Sequence, residues 1–285
     1  MLVAMQRRKF FTIILPVLLA GPAAAQKSPK PLKSVRLYVF DNGVIKGIDP
    51  ARFEFKKEDL ATTEMVVASY LIVHPKGTLM WDTGAIPDSV LKPDGSPVTQ
   101  GLFTATKTLK SQLAAVGYTP KDITYIGLSH YHGDHIANAD DFAGSTWLVQ
   151  EPEREAMFAE KPPVPQFALY AALKNSKTEI LKGQDYDVFG DGTVVIKAAY
   201  GHTPGHQVLY LKLAKTGAVL LAGDLYHYQE ERATHKVPTF EFNKEQSLAS
   251  RELIEAFVKK TGAQLWIEHD LANFNKLKKA PAYYE

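Results

Sequence analysis

Residues 128–138 read LSHYHGDHIAN, with three imidazoles and a carboxylate inside the six positions His130 to His135. They follow directly on the apolar stretch ITYIGLSH, which reads as a short strand. His130 ends that strand, His132 faces the same way two residues on, and Asp134 and His135 fall where a helix begins. Imidazole nitrogen and carboxylate oxygen at this spacing suit zinc and its first-row neighbours. A fold that uses the segment must hold it rigidly and bring further donors to the same place. Three stand at other strand ends: His202 in AAYGHTPGH, Asp224 in LLAGD and His269 in LWIEHD. A lone HxH is common on surfaces, but HxHxDH with three separate strand-end donors is a specific signal.

The rest of the chain supplies a scaffold for such a site. SVRLYVFDNGVI and EMVVASYLIVHPKGTLMWDTG read as strands, the latter turning at Lys76-Gly77. TVVIKAAYGHTPGH, QVLYLKLAK, AVLLAGD and QLWIEHD read as further strands. ATKTLKSQLAAVG is a helix closing at Gly117, and NKEQSLASRELIEAFVKKTGA is an amphipathic helix from Asn243 to Gly262. Strands and helices alternate in a mixed α/β domain, with polar residues where strands end. The stretch Glu151–Asp185, with Pro162-Pro163 and Pro165, is the least regular and is expected to cover something.

The N-terminus reads as a leader. Arg7, Arg8 and Lys9 precede the apolar run Phe10–Ala20, and Ala23-Ala24-Ala25 forms a cleavage site. Residues 1–25 are therefore expected to be a signal peptide, 26–33 a Lys/Pro/Ser spacer, and 34–285 the functional domain. The expected location is the periplasm or the exterior, by either an ordinary or a twin-arginine signal, since Arg7-Arg8 fits both. The apolar run is too short to span a bilayer comfortably, so no membrane insertion is expected after cleavage. Removing the leader's three cations leaves 30 Lys+Arg against 31 Asp+Glu, a net charge of −1. No basic excess remains to attract nucleic acid. The chain has no cysteine, which excludes a thiolate ligand or nucleophile, and no GxSxG elbow is present. No feature selects an oligomeric state.

In the order of its motifs, the chain resembles the metallo-β-lactamase superfamily: Asp82 in WDTG, HxHxDH, His202, Asp224 and His269. The resemblance implies a four-layer αββα sandwich with the site at one edge. It implies that His130, His132 and His202 hold one ion, that Asp134, His135 and His269 hold a second, that Asp224 bridges them, and that Asp82 supports the site. Two divalent ions, zinc foremost, would lower the pKa of a shared water and polarise a carbonyl, with Asp134 accepting or shuttling a proton. HYHGDH, YGHTPGHQ, LLAGD, VPTFEFNKEQSLASRELIEAF and EHD resemble the N-acyl-homoserine lactonases, which implies a small lactone or ester substrate.

Two departures from that group bear on the substrate. Its usual tyrosine after the bridging aspartate is replaced by His227, flanked by Tyr226 and Tyr228; any of the three could donate to the substrate carbonyl, and His227 is the choice made here. Gly133 stands where a bulky side chain is common, opening the pocket floor. Phe158, Phe167, Leu169 and Tyr170 either line an acyl groove or pack among themselves. His206 is expected to orient a ligand rather than bind metal, and His74 and His235 to be surface residues. The same scaffold also suits a β-lactamase, a glyoxalase-II-like thioesterase or a phosphotriesterase. A non-catalytic periplasmic zinc-binding protein is a further alternative.

Overall fold

The computed structural model describes residues 32–162 and 167–285. The leader, most of the spacer and the Pro163–Pro165 segment lie outside the described residues. Two sheets carry the fold. The first contains β1 (Arg36–Ile45), β2 (Met65–His74), β3 (Gly77–Trp81), β4 (Val98–Gln100), β5 (Phe103–Ala105), β6 (Tyr125–Gly127), β7 (Thr146–Gln150) and β8 (Thr178–Leu181). The second contains β9 (Tyr186–Asp187), β10 (Val194–Ala198), β11 (Gln207–Leu213), β12 (Gly217–Leu221) and β13 (Gln264–Trp266). A terminal strand β14 (Tyr283–Tyr284) returns to pair with β1. The strand orders are 4-5-1-2-3-6-7-8 and 13-12-11-10-9.

The layers follow from alternation along the strands. Leu37 and Val39 of β1 share one core with Leu209 and Leu211 of β11 and Leu221 of β12, so that core lies between the sheets. Tyr38 and Phe40 turn the other way, onto Leu109 and Leu113 of helix α1 (Leu109–Ala115). Val208 and Tyr210 likewise turn onto Ile254 and Val258 of the long helix Lys244–Thr261. Helices, sheet, sheet and helices stack in that order, the αββα sandwich that the resemblance implied. Sandwiched between layers, β2 is buried at all ten positions, which explains its apolar run, broken only by Ser69 before His74 ends it.

Local signals set the helix ends as expected. Thr108 caps α1 by accepting from the Ser111 N–H, and Gly117 takes φ +86° just beyond it. Asn243 caps the long helix from Gln246 N–H, and Gly262 ends it at φ +68°. Two more helices bear on the site: α2 (Gly133–Ile136) and α3 (Glu151–Met157). In chain order, α4 (Gln229–Thr234) and α5 (the Lys244–Thr261 helix) follow, and α6 (Leu271–Lys276) closes the set. Among the described residues no helix is long and apolar enough to cross a membrane.

The Glu151–Asp185 stretch is more regular than expected, and as expected it covers part of the fold. It holds α3 and β8, and β8 extends the first sheet in parallel with β7. Its aromatics pack on one another, with Phe158 at 5.6 Å from Tyr170 and Phe167 at 5.4 Å from Tyr170 between ring centroids. They cover the outer face of the first sheet and do not line the cavity at the site. Of the two expectations for Phe158, Phe167, Leu169 and Tyr170, packing among themselves holds and an acyl groove does not. His74 is also buried rather than on the surface, stacked on Phe189 at 4.1 Å and bonded to Asp191 at 2.9 Å. His235 is exposed at the end of α4, as expected.

Candidate metal centre

The site lies across one edge of both sheets, where strand ends deliver its side chains. The loop after β6 carries His130 and His132, and α2 begins at once with Asp134 and His135. His202 comes from the turn between β10 and β11, Asp224 from the turn after β12, and His269 from the turn after β13. Gln207 ties the two sheets here: its N–H donates to Ser129 O (2.9 Å) and its amide to Leu128 O (2.8 Å). Gly223 is required beside Asp224. It adopts φ +49°, and a Cβ there would lie 2.8 Å from His206 Nε2 and 2.9 Å from Ser129 Cβ.

All seven sequence-predicted donors converge. His130, His132, His202 and Asp224 form one set, and Asp134, His135 and His269 a second, the donor atoms of each set lying within 4.8 Å of one another. Asp224 faces both. Its Oδ2 is 3.3 Å from His202 Nε2 and 3.6 Å from His130 Nε2, while its Oδ1 is 3.2 Å from both His135 Nε2 and His269 Nε2. The more open carboxylate is Asp134, 14% exposed against 4% for Asp224, at 3.6–3.7 Å from His269 and His135.

The donor set fits cations. His202 Nδ1 donates to Glu241 Oε1 (2.9 Å), so its Nε2 carries a lone pair in the neutral ring. That Nε2 meets His132 Nδ1 at 2.9 Å, and His130 Nε2 meets the same atom at 2.9 Å. A single hydrogen on His132 Nδ1 serves one of these two contacts well, whereas a cation among the three nitrogens serves all of them. His135 Nε2 and Asp224 Oδ1 are buried without a hydrogen-bond partner, at 3.2 Å from each other. Burial, with neighbouring histidines, holds His130 well below the usual imidazole range and His132 down to about 3. Both rings are thereby kept neutral and able to donate lone pairs.

Several of the rings are oriented from behind. His269 Nδ1 donates to Val66 O (2.8 Å), and His135 Nδ1 faces Asp82 Oδ2 (3.2 Å). Asp82 also accepts from Ser129 N–H (2.6 Å) and holds φ +57°, a strained conformation for a non-glycine residue beside a site. His206 plays the expected orienting part. Its Nδ1 donates to Ala199 O and its Nε2 accepts from Asp224 N–H, both at 3.0 Å, so neither nitrogen is free for metal.

Several residues at the site were absent from the sequence reading. Glu241 holds His202 and accepts from Ser247, and although burial opposes it, His202 draws its carboxyl down to about 2. Glu153 of α3 is buried and accepts from Tyr131 N–H (2.8 Å), Thr203 Oγ1 (2.8 Å) and Gly205 N–H (2.7 Å), joining the His130–His132 loop to the His202 turn. Glu268 is buried beside His135 Nδ1 (3.4 Å), and burial pushes its carboxyl well above the usual range. Position next to a ligand was the one available signal for Glu268. Glu153 and Glu241 lie in ordinary helix and loop sequence.

Of Tyr226, His227 and Tyr228, only His227 reaches the site. Tyr226 OH donates to Glu255 (3.2 Å), and Tyr228 packs against Phe53 and Phe55. A cavity of about 360 Å³ opens on His132, Gly133, Asp134, Asp224, His227 and His269, so Gly133 does form part of its floor. Its other wall is apolar, from Ile45, Ile48, Phe53, Leu102, Phe103 and Phe240, with Arg52 at the same wall.

Known proteins resemble this chain. The profile of the metallo-beta-lactamase superfamily matches residues 62–261. An N-acyl homoserine lactonase of Azorhizobium caulinodans, AttM, is 27% identical over 89% of this chain and 100% of its own length. An N-acyl homoserine lactonase of a Bacillus species is 30% identical over 77% of this chain and 87% of its own. A solved N-acyl homoserine lactone hydrolase, with the product N-hexanoyl-L-homoserine at its catalytic metal centre, superposes with a TM-score of 0.71. It is 26% identical and covers 88% of this chain and 100% of the other. With the αββα layers, the edge-bound donors and the profile in agreement, this chain belongs to the metallo-β-lactamase superfamily.

Proposed function

We propose that the protein is a dinuclear metal-dependent lactonase that opens the ring of N-acyl homoserine lactones. The observation that carries the reading is the cavity, with two convergent donor sets at one end and an apolar wall along the rest. Relatives named for this activity, matched along nearly their whole length, support it. The all-nitrogen-and-oxygen donor sets favour zinc. His130, His132, His202 and Asp224 would hold one ion, and Asp134, His135, His269 and Asp224 the other. Bound there, the two ions would supply activated water and a polarised carbonyl.

The chain's own residues do the remaining work. Asp134, the open carboxylate, faces the cavity floor and is placed to take a proton as water adds to the lactone carbonyl. Cleavage of the ring C–O bond leaves an alkoxide, and the same carboxyl returns the proton to it, giving a hydroxy acid. Ile45, Ile48, Phe53, Leu102, Phe103 and Phe240 take up the acyl chain, each buried methylene contributing about 0.8 kcal/mol. The basic and apolar leader supports export to the periplasm or beyond.

The test is a parallel assay of the purified protein on N-acyl homoserine lactones of graded chain length, a β-lactam, a thioester and a phosphotriester. Lactone turnover should dominate and rise with chain length. Faster turnover of any other class, with lactones untouched, overturns the proposal.

A further inference from the structure

The apolar wall of the cavity carries a permanent positive charge that the chemistry above leaves unused. Arg52 lines it beside Ile48, Phe53 and Phe240, and its guanidinium lies over the Phe240 ring, 4.7 Å from the centroid. Among the described residues its side chain has no acidic partner, whereas the cations on the flanking segments do. Lys46 meets Glu64 at 3.1 Å, Lys244 meets Glu54 at 3.2 Å and Lys236 meets Asp59 at 3.9 Å. We infer that Arg52 binds an oxygen acceptor on the acyl chain near its amide end, and so selects oxo-substituted lactones over plain acyl ones. This specificity rests on the lactonase reading above.

The arginine is fixed at its backbone. Asp49 caps the single turn Pro50–Phe53 by accepting from Ala51 N–H (3.0 Å), and Arg52 N–H donates to Asp49 O (3.1 Å). Arg52 O accepts from both the N–H (2.8 Å) and the hydroxyl (3.1 Å) of Thr239. Thr239 precedes Phe240, so one pair of hydrogen bonds sets both the guanidinium and the ring it lies over. Contact with a ring face uses the charge of a guanidinium and leaves its N–H donors open. The neighbouring side chains of that wall are hydrocarbon, and in such a pocket the few polar groups decide which ligand is accepted.

Position selects which oxygen is met. Phe240 stands 5.9 Å from His202 and 5.6 Å from His227 between ring centroids, so a single ring separates the guanidinium from the donor end of the cavity. With the lactone carbonyl at that end, the third acyl carbon of an extended substrate lies about 6 Å away at ordinary bond lengths. A ketone at that carbon brings its oxygen within reach of Arg52. The amide oxygen, common to every N-acyl homoserine lactone, stays nearer the donor sets. A plain acyl chain offers the guanidinium nothing to bond while displacing water from it, so the site discriminates against it. Arg52 is exposed at the rim, where water still reaches it, which holds the preference to about 10-fold.

Steady-state kinetics of the metal-loaded protein on 3-oxooctanoyl and octanoyl homoserine lactone test this. The same pair is run on Arg52→Met, which keeps an apolar contact with Phe240 and removes the donors and the charge. The wild type should favour the oxo substrate by about 10-fold in kcat/KM, and in the variant the ratio should fall to about one. A wild-type ratio near one overturns the inference and leaves the lactonase reading intact. So does a ratio that the variant leaves unchanged, including an equal loss on both substrates, which would place Arg52 on the shared amide or in the fold alone. Hydrolysis of neither lactone by the wild type overturns both.

Discussion

Glu153→Gln isolates what holds the two ligand-bearing loops together. The Glu153 carboxylate accepts from Tyr131 N–H (2.8 Å), Thr203 Oγ1 (2.8 Å) and Gly205 N–H (2.7 Å). Tyr131 lies between His130 and His132, and Thr203 follows His202, so one side chain sets the spacing of three donors. Glutamine keeps the volume but has a single acceptor oxygen, and its NH2 group meets one backbone N–H donor to donor. Leaving one buried donor unpaired costs about 1–3 kcal/mol. In a protein of this size that lowers the melting temperature by about 2–4 °C per kcal/mol. Displacing the loops should weaken metal binding by about 10–100-fold.

The pH dependence has a definite sign. Burial pushes the Glu153 carboxyl up to about 7 from its ordinary 4.5, against the pull of the Thr203, Gly205 and Tyr131 donors. Between those values the folded chain binds a proton that the unfolded chain has released, so the group's contribution to stability falls as pH rises through the window. The glutamine variant has no such slope, and its deficit relative to wild type should narrow from pH 4.5 to 7. Denaturant melts of metal-stripped protein across that range, with chelator competition at pH 8, measure both effects. A variant that melts like the wild type and binds metal equally well would refute the bridging role.

Three further outcomes are expected. Asp224→Ala, which removes the carboxylate facing both donor sets, should lose metal from the purified protein by elemental analysis and most hydrolysis with it. His202→Ala should deplete metal and abolish turnover, whereas His206→Ala, with both nitrogens engaged away from the site, should cost about 10–100-fold in metal affinity or activity; the opposite ranking would reverse their roles. Phe103→Ala should remove about 2 kcal/mol of apolar contact with a long acyl chain, raising KM by about 30-fold for decanoyl and leaving butanoyl lactones unchanged.

What the sequence determined by itself was local. The buried run of β2, the Lys76-Gly77 turn into β3 and the Asn243 and Gly262 caps of α5 depend on neighbours a few residues away, so they were legible as patterns. HxHxDH was legible for the same reason, because a strand end and a helix start place those four side chains before any long-range contact forms. His202, Asp224 and His269 could be named from their strand-end positions, but only the packing of the two sheets face to face brings them within reach of His130. The carboxylates that orient the ligands had no local signature. Glu153 contacts Thr203 50 residues on, and Glu241 reaches back 39 residues to His202. Phe158, Phe167 and Tyr170 left two alternatives open for a related reason: an aromatic's hydrophobicity says that it will be buried, and not against which surface. Their place on the outer face of the first sheet, and the acyl wall drawn instead from Ile45, Phe53 and Phe103, follow from the order in which the strands pair.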